Sequence, residues 1–139
     1  MFTVFGSFAA IAAGVDNRPF ICVPPSRGRA YLPEGAEFSY SEMLHRALAL
    51  QAAYRAAGYG HGHRVAMLLE NRPDFLLHLL ALNGLGVGIV PLNPDLRPAE
   101  LRYIFEHCEP DAAVTLTHRM DDLGAVTTGL AKPTPVFDA

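Results

Sequence analysis

The sequence predicts an α/β fold, a mostly parallel sheet with helices packed on both of its faces. The runs 65–69, 87–90 and 112–116 are continuously apolar, not alternating, as strands covered on both faces are. A segment of helical period precedes each of them, at 41–57, 73–84 and 98–108. Repeated strand–helix–strand units of this kind imply right-handed crossovers between parallel neighbours. Neither an internal repeat nor a linker divides the chain, so residues 1–139 read as a single domain.

Met1 to Val15 is nearly all apolar or small and predicts a short N-terminal helix. Ala10-Ile11-Ala12 has the form of a signal cleavage site, but the first basic side chain, Arg18, follows the apolar run instead of preceding it, which argues against a secretory signal. Phe20 to Val23 suits a strand that Pro24-Pro25 ends, and residues 25–37, rich in Gly, Pro, Ser and Arg, read as a surface loop. Ser39-Tyr40-Ser41-Glu42 has the spacing of a capping box. Behind it Met43, Ala47, Leu50 and Tyr54 recur at helical spacing, with Gly58 as the stop.

Pro73 sits where a first helical residue is favoured, since its missing amide hydrogen has no partner there. That helix carries Phe75, Leu79 and Leu82 and stops at Gly84 or Gly86. Phe75 to Leu92 approaches the length of a bilayer crossing, but His78, Asn83, Gly84, Gly86, Gly88 and Pro91 interrupt it. It reads as a helix followed by a buried strand, with no transmembrane segment. Pro98 opens the next helix, with Leu101, Ile104 and Phe105 on its apolar face. A last helix over Met120 to Leu130 precedes Pro135 to Asp138.

Half of the residues are hydrophobic and 18% are charged, which excludes a disordered chain. Eleven basic residues stand against fourteen acidic ones, a net charge of −3 that argues against a nucleic-acid partner. The two cysteines, Cys22 and Cys108, make neither a disulfide framework nor a zinc site and fit a reduced, cytoplasmic setting.

The motifs that invite a function mostly dissolve. Gly84-Leu85-Gly86-Val87-Gly88 resembles a dinucleotide-binding loop, but such a loop follows a strand and opens a helix, and here the order is reversed. His61-Gly62-His63, with His45 upstream, lacks the third and fourth ligands of a metal site and reads as a solvated turn. Thr127 to Lys132 carries the chain's single lysine but only one glycine, too few amides to wrap a phosphate. No catalytic triad and no metal-ligating set can be proposed from spacing.

The order of blocks from Phe38 to Leu116 is more informative. Phe38-Ser39-Tyr40-Ser41-Glu42, then Gly58 with Gly62-His63-Arg64-Val65, then Asn71-Arg72-Pro73-Asp74-Phe75 follow one another. Gly86 to Pro94 and Pro98-x-Glu100-Leu101-x-Tyr103-Ile104 complete the series. Together they resemble the opening part of the acyl-CoA synthetases and other adenylate-forming (AMP-binding) enzymes. The departures are His63, where that family usually has Asp, and Gly88 in a strand position.

The resemblance implies an acyl-CoA synthetase-type ligase, acting in fatty-acid or other acyl metabolism, that activates a small-molecule carboxylic acid with ATP and magnesium. It releases pyrophosphate, and coenzyme A then displaces AMP from the acyl-adenylate. The relatives so implied are several times longer, and their phosphate loop, magnesium-serving acids and catalytic lysine have no counterpart in these residues. The chain alone is therefore expected to be inactive, with no catalytic residue of its own. The loop Leu92-Asn93-Pro94, leaving the end of a central strand where such sheets form ligand crevices, is the expected CoA contact, and Arg119 is the lesser candidate. Asn93 is expected to use its amide as both donor and acceptor. The alternative is a noncatalytic α/β module binding a nucleotide or a partner chain.

Overall fold

A computed structural model describes residues 3–15 and 17–139. In chain order the elements are α1 (Val4–Val15), β1 (Pro19–Val23), β2 (Ala36–Ser39), α2 (Tyr40–Ala56), β3 (Arg64–Leu68) and α3 (Pro73–Gly84). They continue with β4 (Gly88–Pro91), α4 (Pro98–Cys108), β5 (Ala112–Thr115), a 3₁₀ turn (Thr117–Arg119), α5 (Met120–Thr127) and β6 (Val136–Asp138).

The main sheet has the order β4-β3-β5-β6, and every neighbouring pair is parallel. Val65 of β3 stands opposite Ile89 of β4 and Ala112 of β5, so the three predicted runs adjoin as expected. Alternation along β3 explains its unbroken apolar sequence. Val65 and Met67 face a core built with Tyr54, Ala81 and Leu82 from α2 and α3. Ala66 and Leu68 face the opposite core, built with Leu101 and Phe105 of α4 and Leu123 and Val126 of α5. Pro91 closes β4, an edge strand, where its missing amide hydrogen costs the ladder nothing.

A further layer lies outside α2 and α3. Phe8 of α1 joins Met43, Ala47 and Leu80, flanked by Phe20 and Tyr40, whose rings lie 4.8 and 5.8 Å from that of Phe8. The Asn83 side-chain oxygen accepts from the Phe5 amide at 2.9 Å and fastens the start of α1 to the end of α3. Met1 and Phe2, at the start of the expected N-terminal helix, lie outside the described residues.

Several expectations shift. The end of the expected loop 25–37 enters β2, which pairs antiparallel with β1 as a separate two-stranded ribbon. The reason is pairing, since Ala36 to Ser39 gain ladder partners in Val23, Cys22, Ile21 and Pro19 that local composition does not announce. The last helix stops at Thr127 instead of Leu130, because Thr128 turns extended and Gly129 takes a positive φ of 73°. Only half of the capping box at α2 forms. Ser39 accepts from the Glu42 amide at 3.1 Å, whereas the Glu42 carboxylate pairs with Arg46. Among the described residues no helix is long and apolar enough to cross a membrane.

Candidate functional site

The crossover directions place a crevice at the carboxyl end of the sheet. The chain leaves β3 toward the face carrying α3, and leaves β4 and β5 toward the opposite face carrying α4 and α5. Loops after adjacent strands therefore part on either side of the sheet, which is where open α/β sheets leave room for a ligand.

The four residues expected there come together in space. Leu92 is buried among the α4 and α5 side chains, and its amide donates to the Met67 carbonyl at 2.9 Å, so it anchors the loop. Asn93 is exposed, but its side-chain oxygen accepts from the Asp95 amide at 3.0 Å. The expectation that the amide is free in both senses is corrected, because that oxygen already closes the turn and the NH₂ is the group left for a ligand. Arg119, at the end of the 3₁₀ turn, reaches back across 25 residues, with Nη1 3.5 Å from the Pro94 carbonyl. Its Nε donates to Asp122 at 3.0 Å, and Nη2 has no partner among the described residues. Arg119 is thus a half-buried, doubly oriented guanidinium and not a loose surface charge.

Two further residues line the same crevice and were not singled out from sequence. Glu70, just past β3, and His118, just past β5, approach to 3.2 Å between Oε1 and Nε2. Their one sequence signal is position, since each is among the first polar residues after an apolar strand. Their pairing spans 48 residues and has no local trace. Beside them Thr117 donates to both oxygens of Asp138 at 3.0 and 2.9 Å, tying β5 to β6.

The rejected motifs find structural roles. Gly86, with φ of 70°, turns the chain from α3 into β4, and Val87 donates to the Leu82 carbonyl at 3.0 Å. Lys132 lies at the opposite, amino end of the sheet, where Nζ donates to the Glu109 carbonyl at 2.6 Å and to Asp111 at 2.7 Å. Burial alone would raise the Asp111 carboxyl, but Lys132 and the Arg64 amide outweigh it and hold it below its ordinary range. His63 accepts from the Gly60 amide at 3.0 Å through Nδ1, so an imidazole does the turn-closing work of a carboxylate. A Cβ on Gly88 would stand 3.1 Å from Arg64 Cγ, which explains a small residue in that strand. Among the described residues no group of three or more His, Cys, Asp or Glu converges.

Comparison with known proteins agrees with this architecture. The AMP-binding enzyme family matches residues 12–136. A long-chain-fatty-acid–CoA ligase of Thermus thermophilus is 37% identical over 81 residues, covering 58% of this chain and 15% of that protein. A sulfoacetate–CoA ligase of Cupriavidus necator is 27% identical over 132 residues, covering 87% of this chain and 24% of that protein. The chain thus spans a quarter or less of the length of these curated relatives. Among solved structures, a benzoate CoA ligase from Burkholderia xenovorans superposes with a TM-score of 0.83 at 14% identity, covering 100% of this chain and 26% of that one. The N-terminal subdomain of Klebsiella oxytoca NpsA superposes with a TM-score of 0.78 at 19% identity, covering 98% and 30%. With the family match running from residue 12 to residue 136, the chain belongs to the AMP-binding enzymes and has the fold of part of their N-terminal subdomain.

Proposed function

We propose that residues 1–139 are the opening part of the AMP-binding domain of a carboxylic acid–CoA ligase that works through an acyl-adenylate. In that enzyme the acid, ATP, magnesium and coenzyme A meet at a site to which this segment contributes the CoA end. The observation that carries this reading is the convergence of Arg119 on the Leu92–Pro94 loop at the mouth of the crevice. A guanidinium oriented by Asp122 and a carbonyl keeps a free Nη2 for a phosphate oxygen of coenzyme A, a charge-assisted bond. The Asn93 NH₂ adds a neutral donor beside it, and the Asx turn holds that donor at a fixed angle.

The residues here do not fit a magnesium or triphosphate site. Asp122 is committed to Arg119, and among the described residues no group of three or more His, Cys, Asp or Glu is placed to hold a cation. Adenylation is therefore assigned to parts of the ligase beyond these residues. Cys22 and Cys108, both free thiols, suit a cytoplasmic enzyme.

In the ligase carrying this segment, Arg119→Ala should raise the KM for coenzyme A about tenfold or more, the loss of one charge-assisted bond. Asn93→Ala should raise it less. Exchange of pyrophosphate into ATP, which reports adenylation alone, should stay within about twofold of the parent in both. Unchanged CoA dependence in both variants would leave the segment as scaffold and refute the assignment.

A further inference from the structure

A cavity of about 180 Å³ lies between the amino-terminal halves of α2 and α3, beside β2. Its size suits a single ring or a short aliphatic chain. Phe38, Met43 and Leu77 make part of its wall apolar, and Arg46, Arg72 and Asp74 make another part polar. Contacts between these lining residues hold both guanidiniums at the wall. Arg46 Cζ stands 5.1 Å from the centre of the Phe38 ring. Arg72 Nε donates to Asp74 Oδ2 at 3.0 Å.

The arginines bring more donors than their protein partners take up. Each guanidinium carries five N–H groups. Among the described residues Arg46 uses one on Glu42, at 2.6 Å, and Arg72 uses one on Asp74. Arg72 is the informative case, because its side chain is only 22% exposed and polar groups so far from water ordinarily find partners. The Tyr31 ring lies 4.3 Å from its Cζ and offers the cation a π face but no lone pair in the plane of the guanidinium. Both Nη atoms are left without an acceptor among the described residues, and neither is sealed in protein, since Gln51 Nε2 is the one fully buried side-chain polar atom there without a partner.

Charge points the same way. Arg29 lies beside the same Tyr31 ring, and its N–H groups go to the carbonyls of Pro24, Tyr31 and Leu32 instead of to a carboxylate. Three guanidiniums in this cluster thus stand with two carboxylates, those of Glu42 and Asp74. The amino end of α3 adds its dipole, for Arg72 at the N-cap gives it no side-chain acceptor.

We propose that this cavity binds a small carboxylate on an apolar body, a short-chain aliphatic acid. Its oxygens meet the open N–H groups of Arg46 and Arg72, and its chain lies against Phe38, Met43 and Leu77. A neutral molecule of the same shape brings weaker acceptors, and a cation is repelled. Inorganic phosphate satisfies the donors but leaves the apolar wall against water. Neither Arg119 nor Asn93 lines this cavity, so the site is separate from the crevice and does not rest on the ligase reading.

Butyrate, 1-butanol and inorganic phosphate, added at constant ionic strength to the ¹⁵N-labelled 139-residue chain, are the probes. Butyrate should shift the Arg72 Nε–H signal saturably and bind at least about fivefold more tightly than 1-butanol or phosphate. Arg46→Gln, at a half-exposed side chain, should weaken butyrate about fivefold, and Arg46→Gln/Arg72→Gln should abolish saturation. Arg27→Gln/Arg55→Gln removes the same charge as the second of these from exposed arginines outside the cavity and should leave the affinity within about twofold. Absence of a saturable shift with butyrate in large excess overturns the proposal, whatever the variants do. So does 1-butanol or phosphate binding as tightly as butyrate, and so does undiminished butyrate binding by the folded Arg46→Gln chain. An equal loss in the Arg27→Gln/Arg55→Gln chain overturns it too, because net charge and not this cavity would then hold the acid.

Discussion

At Gly84 the helices α1, α2 and α3 come so close that a Cβ would collide with the Gln51 side-chain amide and stand 2.9 Å from the Phe5 ring. Gln51 is 7% exposed, and its Nε2 has no partner there. An unsatisfied buried NH₂ costs free energy that an apolar side chain of similar length avoids. Gln51→Met should therefore stabilise the chain by about 1 kcal/mol, seen as a higher urea midpoint with an unchanged slope. A lowered midpoint would show that the amide has a role in packing these helices. His78 acts in the opposite sense. Its pKa lies at about 4 in the fold against 6.5 when unfolded, so above pH 6.5 neither state binds the proton. As pH falls from 6.5 toward 4 the unfolded chain is protonated first and stability is lost, by about 3 kcal/mol at the acid end. Asp111, held below its ordinary range, adds its own loss only at lower pH. Urea unfolding from pH 7 to pH 4 should show this decline, and His78→Leu should flatten it. An equal slope in the variant would assign the decline to other groups.

At the scale of elements, α2 starts at a side-chain cap and α3 and α4 start at prolines. Ser39→Ala removes the acceptor of the Glu42 amide and should cost about 1 kcal/mol in thermal or urea unfolding. A change near zero would mean that water caps α2 equally well. These starts were legible because they are written within four residues of sequence. So were β3 and β5, since a strand buried on both faces cannot hide its apolar run, and β4, whose half-buried Ile89 and Val90 pack on opposite faces. The strand β2 was not legible. Its four residues follow a Gly- and Pro-rich stretch, and only β1, across that loop, makes them a strand. The same limit hid half of the candidate site. Leu92, Asn93 and Pro94 could be placed because they follow a recognisable strand, and Arg119 because it follows another. That His118 meets Glu70, and Arg119 meets Pro94, depends on β3 lying between β4 and β5, which no local pattern states.

Over the whole molecule, the chain builds four parallel strands and covers most of both faces from its own sequence. What it brings to the carboxyl end is a positioned guanidinium, an amide and an exposed Glu–His pair. Among the described residues no group of three or more His, Cys, Asp or Glu gathers to hold a metal ion, and adenylation needs groups placed to stabilise the charge that shifts at a triphosphate and a carboxylate. The division of labour proposed here follows: this segment supports the CoA end, and adenylation needs residues beyond it. Pyrophosphate release by the purified 139-residue chain, with ATP, magnesium and a panel of short, long and aromatic carboxylic acids, tests that division most directly. Release no higher than in a blank without enzyme is the result expected for every acid. Sustained release that depends on one of the acids would contradict it, because a complete adenylation site would then lie within these residues.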